Sequence, residues 1–103
     1  MTTTLIEKAK RELLRWYILV ALDQIRPQLA NEQLLIELVQ SSFGEAIDVP
    51  QLHRELDYLA ERGLVKIDRR RRKWCSRLTW HGIDVVDYTV EVYPGVARPP
   101  ESD

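Results

Sequence analysis

Apolar residues recur at steps of three and four through Val49, Leu52, Leu56 and Leu59, which predicts a helix with one buried stripe. Pro50 suits its first turn and Gly63 its end. At Leu64, Val65 and Ile67 the spacing changes toward two, so a strand should leave the helix almost at once. Five consecutive cations follow, Arg69 to Lys73. Beyond them Trp74, Ser76 and Leu78 fall on one side of a second strand. Thr79 is placed to cap a helix starting at Trp80, with Ile83, Val85 and Val86 packing it back on the core to about Tyr88.

Upstream, Thr4 to Ile25 holds no Pro or Gly and is rich in Leu, Ala, Glu, Lys and Arg, which predicts one long helix. Thr4 and Glu7 have capping-box spacing. The first half is amphipathic through Ile6, Ala9 and Leu13. From Leu13 to Leu22 apolar groups occur almost all round, so this part needs cover on more than one side. The core supplies one cover, and either the C-terminal segment or a second subunit supplies the other. The pattern therefore predicts a homodimer with Leu14, Trp16, Tyr17, Ile18 and Leu22 at its interface. Pro27 ends the helix. Asn31 caps the next one, with Leu34, Leu35, Leu38 and Val39 as its stripe and Glu32 near its positive end. Ser41 to Asp48 then loops around Gly44. Near the C-terminus Val90 and Val92 alternate about Glu91 as a short extended piece. Pro94, Gly95, Pro99 and Pro100 oppose regular structure, so the tail is expected to be mobile or to lie along a partner.

The order of helix, corner, strand, basic tip, strand and capped helix carries two local phrases. One is Leu-x-x-Leu-x-x-x-Gly-Leu-Val at Leu56 to Val65, the other Leu-Thr-x-x-Gly at Leu78 to Gly82. Together they resemble the winged-helix domains of bacterial transcription regulators over roughly the middle two thirds of the chain. The resemblance implies an α+β fold with a three-helix core, a two-stranded wing and an extra C-terminal helix. That domain would span residues 1–93 and leave a Pro-rich tail over 94–103. It also implies that the helix at Val49 enters a DNA groove while the basic tip approaches the minor groove or flanking phosphates. The run Tyr93-Pro94-Gly95-Val96-Ala97-Arg98-Pro99-Pro100 further looks like small winged-helix proteins carried by Mu-like prophages, which implies a phage-encoded protein.

With 103 residues the chain is long enough to bury a core as one domain. Its formal net charge of −1 conceals an uneven distribution: residues 63–82 hold seven Lys or Arg against Asp68 alone, +6, so the remainder carries −7. Binding depends on potential at the contact surface, so a near-neutral total is compatible with a phosphate-binding tip. The single Cys75 excludes an intramolecular disulfide and suits a reducing cytoplasm. The N-terminus lacks the pattern of an export signal, and the apolar run Trp16 to Leu22 is too short to span a bilayer.

With Leu52, Leu56 and Leu59 inward, helical geometry turns Gln51, Arg54, Glu55, Tyr58, Glu61 and Arg62 outward. Gln51, Arg54 and Arg62 suit adenine and guanine edges, and Tyr58 suits a phosphate or a thymine methyl. Glu55, Asp57 and Glu61 oppose this through phosphate repulsion, and the bland alternative is a solvated helix face. The stronger signal is Arg69, Arg70, Arg71, Arg72 and Lys73, whose mutual repulsion an anion would relieve. Its bland alternative is a solubilising turn that discourages edge pairing.

For catalysis the sequence offers only Cys75, His53 and His81 as thiol and imidazoles, with no activating arrangement. His53 and Asp57 at i, i+4 supply two metal ligands where a site needs more, so neither metal nor cofactor is expected. The sequence thus reads as a homodimeric, cytoplasmic protein that binds double-stranded DNA and is not an enzyme. The rival is a phage assembly or host-modulating adaptor on the same fold, using Tyr58, Trp80 and the Pro-rich tail on a protein surface.

Overall fold

The helix-forming N-terminal stretch is one helix, α1 (Thr2–Gln24), in a computed structural model that describes residues 2 to 101. It begins before Thr4, so the Thr4 and Glu7 spacing marks no cap. After Pro27 the chain forms a two-residue strand, β1 (Ala30–Asn31), then α2 (Glu32–Phe43). Asn31 caps α2 as expected, its side chain accepting the Leu34 N–H at 2.9 Å. The loop at Gly44 leads into α3 (Val49–Glu61), where Asp48 and Gln51 exchange side-chain and backbone hydrogen bonds in a capping box.

Gly63 has φ of 74°, a left-handed turn that a side chain would strain, and it swings the chain from α3 into β2 (Val65–Asp68). The strand β3 (Cys75–Leu78) returns antiparallel, with Val65 opposite Leu78 and Asp68 opposite Cys75. Thr79 caps α4 (Trp80–Val86), accepting the Gly82 N–H while its hydroxyl donates to the Gly63 carbonyl. The sheet runs β1-β3-β2, all antiparallel. β1 was absent from the expected elements because two residues carry no period-two signal. Four helices and this sheet make the α+β winged-helix arrangement, with α3 leading into the hairpin and residues 69–74 as the wing tip.

The predicted dimer face needs correction. Leu14, Trp16, Ile18 and Leu22 are buried in the chain's own core, and Tyr17 is half-buried with its ring edge-on to Phe43, centroids 6.2 Å apart. Of the two covers that an all-round apolar helix could have, the C-terminal segment supplies the second. Tyr88 meets Trp16 edge-on at 6.1 Å, Val96 is buried, and the Ala97 N–H donates to the Glu12 carbonyl at 3.1 Å.

The expected free tail is corrected by the same contacts. Residues 94–98 lie along their own domain, and Arg98 donates to the carbonyls of Val85 and Val90. Residues 90–92 form no strand, and α4 stops at Val86 because Tyr88 turns with φ of 63°. Leu34 also departs from its expected burial, since the inward stripe of α2 runs through Leu35 and Val39. Met1 and residues 102 and 103 of the expected tail lie outside the described residues. No described helix is long and apolar enough to cross a membrane.

Because the Asn31 side chain supplies one of the acceptors that the first turn of α2 lacks, Asn31→Ala is expected to cost about 1 kcal/mol of stability. A urea melt measures it. An unchanged midpoint would show that the cap contributes nothing.

Candidate nucleic-acid interface

The inward face of α3 holds Leu52, Leu56 and Leu59, and with them Glu55, which is fully buried. Placing Glu55 outward was therefore wrong, for a reason visible in the spacing: it lies three residues after Leu52 and four before Leu59, within their stripe. Three arginines compensate its charge. Arg15 donates through Nε to Oε1 at 2.8 Å, while Arg11 and Arg54 each donate through Nε to Oε2 at 3.1 Å. Arg15 is itself buried and also donates to the Gly95 carbonyl at 2.8 Å. One buried cluster thus ties α1, α3 and the C-terminal segment together.

Tyr58, expected to face DNA, is enclosed by the same cluster. The Arg15 and Arg62 guanidinium carbons lie 3.5 and 3.4 Å from its ring centroid. Its hydroxyl fills the space beside Gly95, where a Cβ would come within 1.7 Å of Oη. Arg62 is committed to the stack and to the Tyr58 carbonyl. Gln51 is committed through Oε1 to the capping box. Of the four helix residues expected at the groove, Arg54 is the one whose side chain remains about half exposed, at 51%.

The other carboxylates of α3 are also answered. Asp57 accepts from Arg69 of the wing, and Glu61 has Arg62 at 3.8 Å. The repulsion anticipated from Glu55, Asp57 and Glu61 is therefore largely cancelled, because each faces an arginine.

The wing is fastened to α3. Trp74 lies flat on His53 with centroids 3.6 Å apart and planes 8° from parallel, and Arg69 sits over the Trp74 ring at 4.7 Å. The buried Glu32 accepts the Trp74 backbone N–H and lies 3.2 Å from His53 Nε2. His53 and Asp57, the pair weighed as metal ligands, are thus engaged with the wing. At the tip Arg70 grips Asp68 with Nε and Nη2, at 3.0 and 2.9 Å, and with its backbone N–H. The Arg70 guanidinium and N–H hold the Asp68 carboxyl well below the usual aspartate range.

Lys73 donates to Gln33 at 3.0 Å. Arg71 and Arg72 are exposed, and among the described residues neither has an ion pair or a side-chain hydrogen bond. The five-cation tip therefore divides into Arg69 and Arg70, spent on carboxylates, and Arg71, Arg72 and Lys73, with no carboxylate of their own.

Sequence reasoning missed Arg11, Arg15 and Glu32 as the residues that set this surface. Arg11 and Arg15, one helical turn apart, gave a faint signal, but their partner is about 40 residues away.

No protein-family model and no curated protein matches the chain. Among solved structures, RosR of H. salinarum superposes with a TM-score of 0.64 at 22% identity, over 74% of this chain and 67% of that one, a likeness in fold.

Proposed function

We propose that the chain binds double-stranded DNA as a transcription regulator, with α3 entering the major groove and the wing tip on neighbouring phosphates. One observation carries this reading: every carboxylate of α3 has an arginine within 4 Å, while among the described residues Arg71 and Arg72 at the adjoining tip have no ion pair or side-chain hydrogen bond. A duplex supplies the missing anions, and guanidinium forks suit phosphate. The fold shared with RosR is compatible with the same reading. The likeness of the tail phrase to proteins of Mu-like prophages fits a phage-encoded regulator acting in the bacterial cytoplasm.

A single copy of the chain presents α3 and its wing as one fastened surface, so the contact does not require a second subunit. The adaptor reading loses support where Tyr58 is stacked between arginines and residues 94–98 are docked on their own domain.

Arg54 is the residue assigned to a base edge. Selection from a randomised duplex pool is expected to enrich a preferred site, and Arg54→Ala to cut the preference for that site about tenfold while leaving the salt dependence nearly intact. Failure to enrich any sequence would contradict a regulator and leave only general DNA affinity.

A further inference from the structure

The outward face of the sheet carries a second basic surface at the base of the hairpin, at the end away from the tip. Lys66 and Arg77 are direct cross-strand partners, an arrangement in which like charges repel. Both are exposed, and among the described residues neither has an ion pair or a side-chain hydrogen bond. They border a groove of about 380 Å³ whose other walls include Arg26, Gln28, Trp80 and Ile83, and no carboxylate lines it. Arg26 is braced by Asp23, which accepts from its Nε at 2.9 Å. Trp80 is 83% exposed, the largest exposure among the big apolar side chains. An indole left in water beside unpaired cations contributes nothing visible to the fold.

We propose that this groove binds single-stranded DNA, with Lys66 and Arg77 on the phosphates and the Trp80 indole stacked on a base. The charge pattern calls for a polyanion, and a phosphate between Lys66 and Arg77 would remove their repulsion. The indole selects among polyanions, because bases within a duplex are already stacked on their neighbours while an unpaired base offers a free face. Lys66 and Arg77 also border a groove with Asp68, Arg69 and Arg70 of the wing, but the site uses neither α3 nor Arg71 and Arg72, so it does not depend on the duplex reading.

The test is anisotropy of a labelled oligothymidylate of about twelve nucleotides, within the span of known single-strand sites, at low salt. The intact chain is expected to bind it. Trp80→Ala should weaken binding at least roughly fivefold, in line with one lost base stack. An abasic oligomer of equal length should bind more weakly and be indifferent to Trp80→Ala. The double variant Lys66→Ala/Arg77→Ala should reduce the log–log salt slope by about 1.4, at roughly 0.7 per single-strand phosphate contact. Arg71→Ser/Arg72→Ser should leave this binding within about twofold while weakening a duplex. Circular dichroism of Trp80→Ala checks that the fold is kept, which its exposure favours.

The proposal is overturned if the oligomer does not bind, if Trp80→Ala and Lys66→Ala/Arg77→Ala bind it as the intact chain does, or if the Arg71/Arg72 variant loses single strand and duplex together. It is equally overturned if sedimentation shows that Trp80→Ala converts a dimer to monomer, since a second copy would then occupy the face.

Discussion

Glu55→Ala is expected to lower the unfolding free energy by about 3–5 kcal/mol, because it removes one partner of a buried ionic cluster and leaves a buried guanidinium without its counter-charge. Arg15 bears the loss: its side chain is 8% exposed and it donates to Glu55 at 2.8 Å. Arg11 is different. Its side chain is 44% exposed, so water can take over from Glu55, and Arg11→Ala should cost about 1 kcal/mol or less. Against a total stability of roughly 5–15 kcal/mol, Glu55→Ala should leave a folded protein with a much lower urea midpoint. Equal costs for the two variants would show that the cluster does not hold α3. The contrast bears on function because the same carboxylate fastens α3 to α1, and through Arg15 to Gly95.

That cluster also marks where the sequence stops being readable. Local devices were legible because they act within a few residues: the Asn31 and Thr79 caps, the Gly63 corner, the Leu52, Leu56 and Leu59 stripe, and the two hairpin strands all stand where spacing placed them. Capping is an i to i+3 affair, and a stripe repeats within two turns. Glu55 was misplaced because a carboxylate on an apolar stripe is acceptable only with cations from elsewhere in the chain, and no local pattern announces residues 40 positions away. The tail was misjudged similarly. Pro and Gly do oppose regular structure there, but Val96 finds a place in the core, and Gly95 lacks the Cβ that would collide with Tyr58. Missing that docking put Leu14, Trp16, Ile18 and Leu22 at a subunit interface, whereas they are buried within the chain with the segment as one of their covers. At the candidate interface the wing cations were legible as a group, yet their division into engaged and unengaged residues was not. Asp57 and Asp68 decide it through side-chain geometry.

Neutralising the unengaged pair, Arg71→Ser/Arg72→Ser, is the second large effect expected. Each phosphate contact contributes about 0.9 to the log–log salt slope on duplex DNA, so losing two should flatten the slope by about 1.8 and weaken binding by roughly tenfold or more at low salt. Random and preferred duplexes should suffer alike, because phosphate contacts position the protein without reading sequence. The matching variant Arg69→Ser/Arg70→Ser should flatten the slope less, since both residues already neutralise carboxylates. The order of the two variants therefore tests the division of the tip. The reverse order would place the phosphates on Arg69 and Arg70.

Duplex binding itself is tested most directly by anisotropy of a labelled random duplex titrated with the intact protein across a salt series. Arg71, Arg72 and Lys73 supply about 2–3 phosphate contacts, so binding at low salt is expected to be micromolar or tighter, with a log–log slope between roughly −2 and −3 per bound copy. Absence of binding at tens of micromolar in low salt, or an affinity indifferent to salt, would contradict a duplex-binding function for α3 and its wing.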